Sequence, residues 1–227
     1  MLSRLINLAI VDDHSLFRKT LKHFLLERKN IHVAVQASNM FELFDMLKSS
    51  SVDILLMDVF MPGLSGIDAI KILRSEFHAI KILALSMSTD LELISELLDA
   101  GIHGYIPKSD EPEELLRAIE VVADNRLYRN VLFTEALYRN RQNNIWTNTE
   151  SPRALLNDRE KKILQLIWYE KSNKEIADEL FLGIRSVEKI RQDIKEKIGV
   201  KSTIGLMKYA INNKIIGLSS NNSNLIK

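Results

Sequence analysis

The sequence predicts an α/β domain, doubly wound around a five-stranded parallel sheet, followed by an all-α domain of four helices containing a helix-turn-helix. Three observations predict this. Over the first half of the 227 residues, short apolar runs alternate with segments of helical periodicity. The run Asp53-Ile-Leu-Leu-Met is continuously apolar, as in a parallel strand covered by helices on both faces. The charge also changes sign along the chain. Residues 1–124 carry 12 Lys and Arg against 19 Asp and Glu, a net of −7, whereas residues 125–227 carry 19 against 11, a net of +8.

Five βα units account for the first half. Strands are expected at 5–11, 31–37, 52–57, 80–85 and 104–106, and helices near 14–28, 39–49, 66–76, 90–100 and 112–124. The Asn-rich, polar stretch 125–153 reads as a linker around a short amphipathic helix near 132–140, with Trp146 able to dock it on either domain. Beyond it, Asn157 followed by Glu160 and Ser172 followed by Glu175 have capping-box spacing and start helices at about 158–169 and 173–181. A third helix, about 184–198, places Val187, Ile190, Ile194 and Ile198 on one face, and a fourth follows at about 202–213. The plan is a first domain over 1–124, a linker over 125–153, a second domain over 154–218 and a flexible tail over 219–227.

Composition removes several classes. With 46% hydrophobic and 27% charged residues, eight Gly and four Pro, the chain is neither collagen-like nor largely disordered. The absence of Cys excludes disulfides, thiolate metal sites and Cys nucleophiles, and fits a reducing compartment. No apolar run approaches the roughly 18–20 residues that cross a bilayer, and acidic residues arrive too early for a secretory signal, so a cytoplasmic protein without a membrane partner is expected.

In a parallel sheet, ligands collect at the carboxyl ends of the strands. Here those ends hold Asp12 and Asp13, Asp58, Ser86 and Lys108. Singly, each Asp is more often a turn former and the Lys a solvated charge; five such residues at strand ends point to a site. Clustered carboxylates need a cation, and an all-oxygen set partly filled by protein suits Mg²⁺. Asp13 and Asp58 would be ligands and Asp12 would act through water. Asp58, on the central strand, is then the candidate nucleophile for phosphorus, with Lys108 and Ser86 contacting the phosphoryl oxygens. Histidines 14, 23, 32, 78 and 103 share no metal-ligand spacing and read as structural or surface residues.

Asp12-Asp13, Met57-Asp58-Val59-Phe60-Met61-Pro62-Gly63 with Gly66, Ser86, and Gly104-Tyr105-Ile106-Pro107-Lys108 together resemble the receiver domain of bacterial response regulators, over about residues 5–124. The resemblance implies a flavodoxin-like fold. It also implies that Asp58 accepts phosphate from a sensor histidine kinase, that Asp13 and the Phe60 backbone carbonyl bind Mg²⁺, and that Ser86 with Tyr105 forms a switch. That switch would report to the face of the fourth helix, fifth strand and fifth helix. Tyr105 also reads as ordinary packing of an aromatic in an edge strand. An apolar Phe60 two residues past the acceptor is expected to slow hydrolysis of an acyl phosphate by hindering water.

Two short helices and a turn, the second helix rich in long polar side chains, fit a major-groove reader. Its candidate contacts are Arg185, Ser186, Glu188, Lys189, Arg191, Gln192, Lys195 and Lys201. A small bundle with a charged solvent face fits the same pattern. Leu156-Asn-Asp-Arg-Glu160, Ser172-Asn-Lys-Glu-Ile-Ala177, Leu180, Ser186-Val-Glu188 and Lys197-Ile-Gly-Val-Lys-Ser202 resemble the LuxR-type helix-turn-helix over 154–217, so the whole chain resembles the NarL/FixJ class of response regulators. The resemblance implies double-stranded DNA as partner and a homodimer on it. Glu170 stands where the pattern has Gly, Gly183 where it has Ser and Ile190 where it has His. Gly183 forgoes a cap typically worth about 0.5–2 kcal/mol against Ala and less against Gly. A Mg²⁺-dependent phosphohydrolase, and a receiver joined to a protein-docking module, are the competing readings. Phosphorylation could either release an acidic half from a basic one or drive dimerisation.

Overall fold

The computed structural model describes residues 5–143, 156–200 and 202–216. They belong to two compact units, Met1–Asn140 and Arg141–Lys227. In the first, β1 (Ile6–Val11), α1 (Ser15–Leu26), β2 (Ile31–Ala37), α2 (Met40–Leu47), β3 (Ile54–Asp58), α3 (Gly66–Glu76), β4 (Lys81–Ser86), α4 (Leu91–Ala100), β5 (Gly104–Pro107) and α5 (Pro112–Ala123) alternate as expected. The strands form one parallel sheet in the order β2-β1-β3-β4-β5. Ile54, Leu55, Leu56 and Met57 of the central strand are fully buried, and burial of each such side chain contributes about 1.5–3 kcal/mol. That apolar strand anchors the charged residue at its end.

The chain leaves β1 to one side for β2 and comes back on the other side for β3, so a crevice opens at the carboxyl ends of β1 and β3. Val11 is level with Met57, Asp58 with Leu85 and Ser86 with Pro107, which brings Asp12, Asp58, Ser86 and Lys108 to one edge. Strands three and four begin and end later than their apolar runs suggest. Asp58 and Ser86 are still paired in the sheet, so both side chains are held by the ladder rather than by a loop.

The turn after β3 explains its glycines. Gly63 has φ +98, a conformation that favours glycine, and a Cβ on Gly66 would lie 2.7 Å from the Val59 carbonyl oxygen. Ser65 then caps α3 by accepting from the Asp68 amide.

The helix expected near 132–140 forms as α6 (Val131–Asn143). The residues leading into it do not span free between domains; they cover the open edge of β5. Tyr128 N donates to His103 O at 2.9 Å, and Asn130 Nδ2 donates to Tyr105 O at 2.9 Å. Asn130 Oδ1 in turn accepts from Phe133 N, tying the start of α6 to the strand. A polar, Asn-rich text hides this because the asparagine acts as an edge cover and a cap, both of which need polar atoms. Trp146 and the tail 219–227 lie outside the described residues.

The second unit holds α7 (Asp158–Trp168), α8 (Asn173–Glu179), α9 (Ile184–Ile198) and α10 (Thr203–Asn212). Both capping boxes are complete, Asn157 with Glu160 and Ser172 with Glu175, and Gly183 gives α9 no side-chain cap. Ile163, Leu164 and Leu166 of α7, Ile176 of α8, Val187 and Ile194 of α9 and Leu206 of α10 are buried. Ile190 and Ile198, expected on the buried stripe, are only half-buried.

Glu170 follows α7 with φ +59, in the left-handed region. Its amide donates to Ile167 O and the next amide to Leu166 O, closing the end of the helix. A side chain there costs about 1–2 kcal/mol against glycine, the residue that the resemblance leads one to expect at this point. Glu170→Gly is expected to stabilise the second unit by about 1 kcal/mol, net of the side-chain interaction it loses. Chemical denaturation of the two proteins checks this.

Candidate functional site

At the crevice, Lys108 joins three strands. Its Nζ donates to Asp12 Oδ2 and to Asp58 Oδ2, each at 2.7 Å. Asp12 is fully buried and Asp58 is 3% exposed, so each carboxylate requires a partner. The second oxygens are occupied as well: Asp12 Oδ1 accepts from His14 N at 2.8 Å, and Asp58 Oδ1 from Phe60 N at 3.0 Å. Burial alone would lower the Lys108 pKa, but its hydrogen bonds to Asp12 and Asp58 and their charge outweigh burial and raise it above the ordinary lysine value. Arg18 of α1 donates to the Asp12 carbonyl and braces the end of β1.

Asp13 is exposed on the same rim. Among the described residues, Asp12, Asp13, His14 and Asp58 form a group that can hold a metal ion, with one ligand atom of each within 4.8 Å of the others. Three carboxylates on one edge, two of them buried, suit a hard divalent cation. His14 is the member that sequence reasoning missed. Its ring is 70% exposed, with Nδ1 3.0 Å from Asp13 Oδ1. A search for paired histidines cannot find it, whereas its place directly after two aspartates could have.

Ser86 is buried at the end of β4, where its Oγ accepts from Ser88 N. Tyr105 is fully buried and its hydroxyl donates to the Ser88 carbonyl, so the aromatic packs inward and also tethers the loop after β4. Burial raises its pKa, with Ser86 opposing that. Phe60 is 57% exposed, two residues past Asp58, whose carboxylate accepts from its backbone amide. Phe17 of α1 presents its ring to the Lys108 ammonium at 4.6 Å from the ring centre. No sequence signal marks that contact, since a Phe on α1 reads as core.

On α9, Arg185, Ser186, Glu188, Lys189 and Gln192 are exposed, and Arg191 and Lys195 are half-buried. Arg191 is engaged inside the unit: it donates to Asn173 Oδ1 of α8 and to Thr203 Oγ1 of α10. It is therefore a strut across three helices, at a position expected from the sequence to contact DNA phosphate. Gln192 donates to Glu196 within α9, and Glu188 accepts from Asn173 at 3.4 Å. Burial lowers the pKa of Lys195 and the neighbouring Arg191 charge lowers it further, a condition that an anion would relieve. Phe181, in the turn before α9, is 96% exposed. Lys201 lies outside the described residues.

Two family profiles match the chain. "Response regulator receiver domain" matches residues 8–120, and "Bacterial regulatory proteins, luxR family" matches residues 154–210. The oxygen regulatory protein NreC of Staphylococcus aureus is 34% identical over 213 residues, covering 92% of this chain and 98% of NreC. Among solved structures, the response regulator RcsB in complex with DNA has a TM-score of 0.56 at 23% identity, covering 92% of this chain and 99% of RcsB, a likeness of fold. A LuxR-family response regulator from Aurantimonas sp. SI85-9A1 has a TM-score of 0.56 at 27% identity, covering 61% of this chain and 99% of that one.

Lys108→Met keeps much of the side-chain volume but leaves the two buried carboxylates facing each other. A loss of about 3–5 kcal/mol in stability is expected in chelator, and Asp12→Asn in the same chain should recover part of it. Denaturation midpoints of the single and double variants check this, and added Mg²⁺ should stabilise Lys108→Met more than the unsubstituted protein.

Proposed function

The chain belongs to the two-component response regulators that join a receiver domain to a LuxR-family regulatory domain, and from that premise we propose that Asp58 is its phosphoacceptor and α9 its DNA-reading helix. The observation that carries the first assignment is the pair of 2.7 Å contacts from Lys108 to Asp12 and Asp58, which gathers a buried nucleophile and a cation at one strand edge. Asp13, Asp58 and the Phe60 backbone carbonyl would hold Mg²⁺, with Asp12 acting through water and His14 at the rim. When bound, the ion offsets the charge of the carboxylates and of the phosphoryl group.

In the proposed transfer, an Asp58 oxygen bonds to phosphorus while the phosphorus–nitrogen bond of a phosphohistidine on a sensor kinase breaks, the electron pair staying on the imidazole nitrogen. Lys108 passes from Asp58 to a phosphoryl oxygen, and the Ser86 hydroxyl turns to donate to another. Tyr105 senses the change through the Ser88 carbonyl that its hydroxyl holds. Making and losing its own acyl phosphate is then the whole of this chain's covalent chemistry. Asp58→Asn should abolish labelling by a small phosphodonor with Mg²⁺; base-labile label persisting in that variant overturns the assignment.

For the second unit we infer a homodimer on double-stranded DNA. One helix-turn-helix reads few base pairs, and paired half-sites supply the missing specificity. Arg185, Lys189 and Lys195 supply positive charge along α9, with Ser186, Glu188 and Gln192 beside them and Lys201 beyond its end. RcsB has been solved on DNA, and the same fold supports the same use. No described helix is long and apolar enough to cross a membrane, and the proposed DNA partner supports a cytoplasmic location. Binding should weaken steeply with salt, with a slope of about −0.9 for each phosphate contact. Lys195→Ala should reduce that slope by about one contact, Lys189→Ala should change the preferred sequence, and Arg191→Ala should lower the melting temperature of the unit before it changes either. Binding titrations over a salt series, beside thermal melts, separate the three.

A further inference from the structure

We propose that Phe17 is a positioning residue for phosphoryl acceptance: the face of its ring holds the Lys108 ammonium at Asp58 and keeps water from it. This rests on Asp58 being the phosphoacceptor. A lysine ammonium has three N–H bonds. Two donate to Asp12 Oδ2 and Asp58 Oδ2, and the Phe17 ring centre lies 4.6 Å from Nζ. Phe17 and Lys108 both line an apolar cavity of about 220 Å³ that also touches Phe24, Leu85, Ile106 and Leu115. The Lys108 side chain lies on the wall of that cavity beside the ring and is 9% exposed, so removing the ring would widen the opening at the ammonium.

A π face attracts a desolvated cation without offering it a hydrogen-bond acceptor. The ring therefore does not compete with the oxygens of the site. During transfer Lys108 must exchange the Asp58 oxygen for a phosphoryl oxygen. The ring and Asp12 are the partners that stay, so the ammonium can change ligand while remaining dry and in place. In the resting site two fixed carboxylates hold Lys108 even without the ring. During transfer one of them is being esterified, and the ring's share of the work grows. An interaction that grows towards the transition state raises the rate.

Phosphoramidate with Mg²⁺ tests this on the full chain. An Asp58 oxygen bonds to phosphorus, the phosphorus–nitrogen bond breaks, and ammonia leaves with the electron pair. Replacing Phe17 by mono-, di- and trifluorinated phenylalanine weakens the ring face stepwise with little change in size. The labelling rate should fall stepwise, by up to roughly thirtyfold across the series, and by more than any fall in melting temperature accounts for. Phe17→Trp should keep the rate, and Phe17→Leu should match the trifluorinated protein. Equal rates across the series, or rates that fall only in step with the melting temperature, overturn the role of Phe17. Absence of label from the unsubstituted protein instead overturns the phosphoacceptor reading beneath it.

Discussion

Two carboxylates buried at the ends of adjacent parallel strands must be neutralised, and the first unit is organised around that requirement. Asp12 and Asp58 come level because β1 pairs with β3 in a register that places Val11 opposite Met57. Their compensating charge comes from Lys108, 50 residues beyond Asp58, delivered by the edge strand β5 and fixed by its own amide, which donates to Ser86 O at 2.7 Å. The sheet order is what makes this reachable, since β4 pairs with both β3 and β5. A charged cluster of this kind is weak evidence for stability, because desolvation offsets much of the attraction. Its place at the end of the apolar strand β3 is better understood as chemistry that this strand is built to carry.

Much of this was legible in the sequence because it depends on period and position. Continuous apolar runs mark strands buried on both faces, and the residues at their ends are named by the text itself: Asp12, Asp58, Ser86 and Lys108. Both capping boxes of the second unit were readable for the same reason, since a side chain three residues from its partner amide is a local rule. Contacts between distant elements were not legible. Phe17 beneath Lys108, His14 beside Asp13 and Arg18 on the Asp12 carbonyl each depend on how α1 and the turn before it meet the sheet edge. A helical wheel shows only which face is apolar.

Arg191 has a structural part that the sequence does not mark. Read as a candidate phosphate contact on α9, it also meets Asn173 of α8 and Thr203 of α10. A guanidinium with five donors in a fixed fork can bridge helices that a lysine could not. Lys195, one turn further, has its pKa lowered by burial and by the charge of Arg191. The strut and the lowered lysine are thus one arrangement. Holding Arg191 in place puts a fixed positive charge beside Lys195, and an approaching anion would relieve both.

β5 occupies a mechanical position that its neighbour β4 does not have. One edge pairs with β4, beside Ser86; the other is covered by Tyr128 and Asn130. The strand carries Tyr105 inward to the Ser88 carbonyl and leads directly to Lys108. Asn130 holds the Tyr105 carbonyl with its amide nitrogen and the first turn of α6 with its amide oxygen. A displacement of β5 that followed Lys108 would therefore have to move or break these bonds, each worth about 0.5–1.5 kcal/mol net. Energies of that size are too small to lock the strand and large enough to bias it. An edge cover made of one side-chain amide would let such a displacement occur, because an asparagine can follow its carbonyl by rotation where a paired strand would have to slip register.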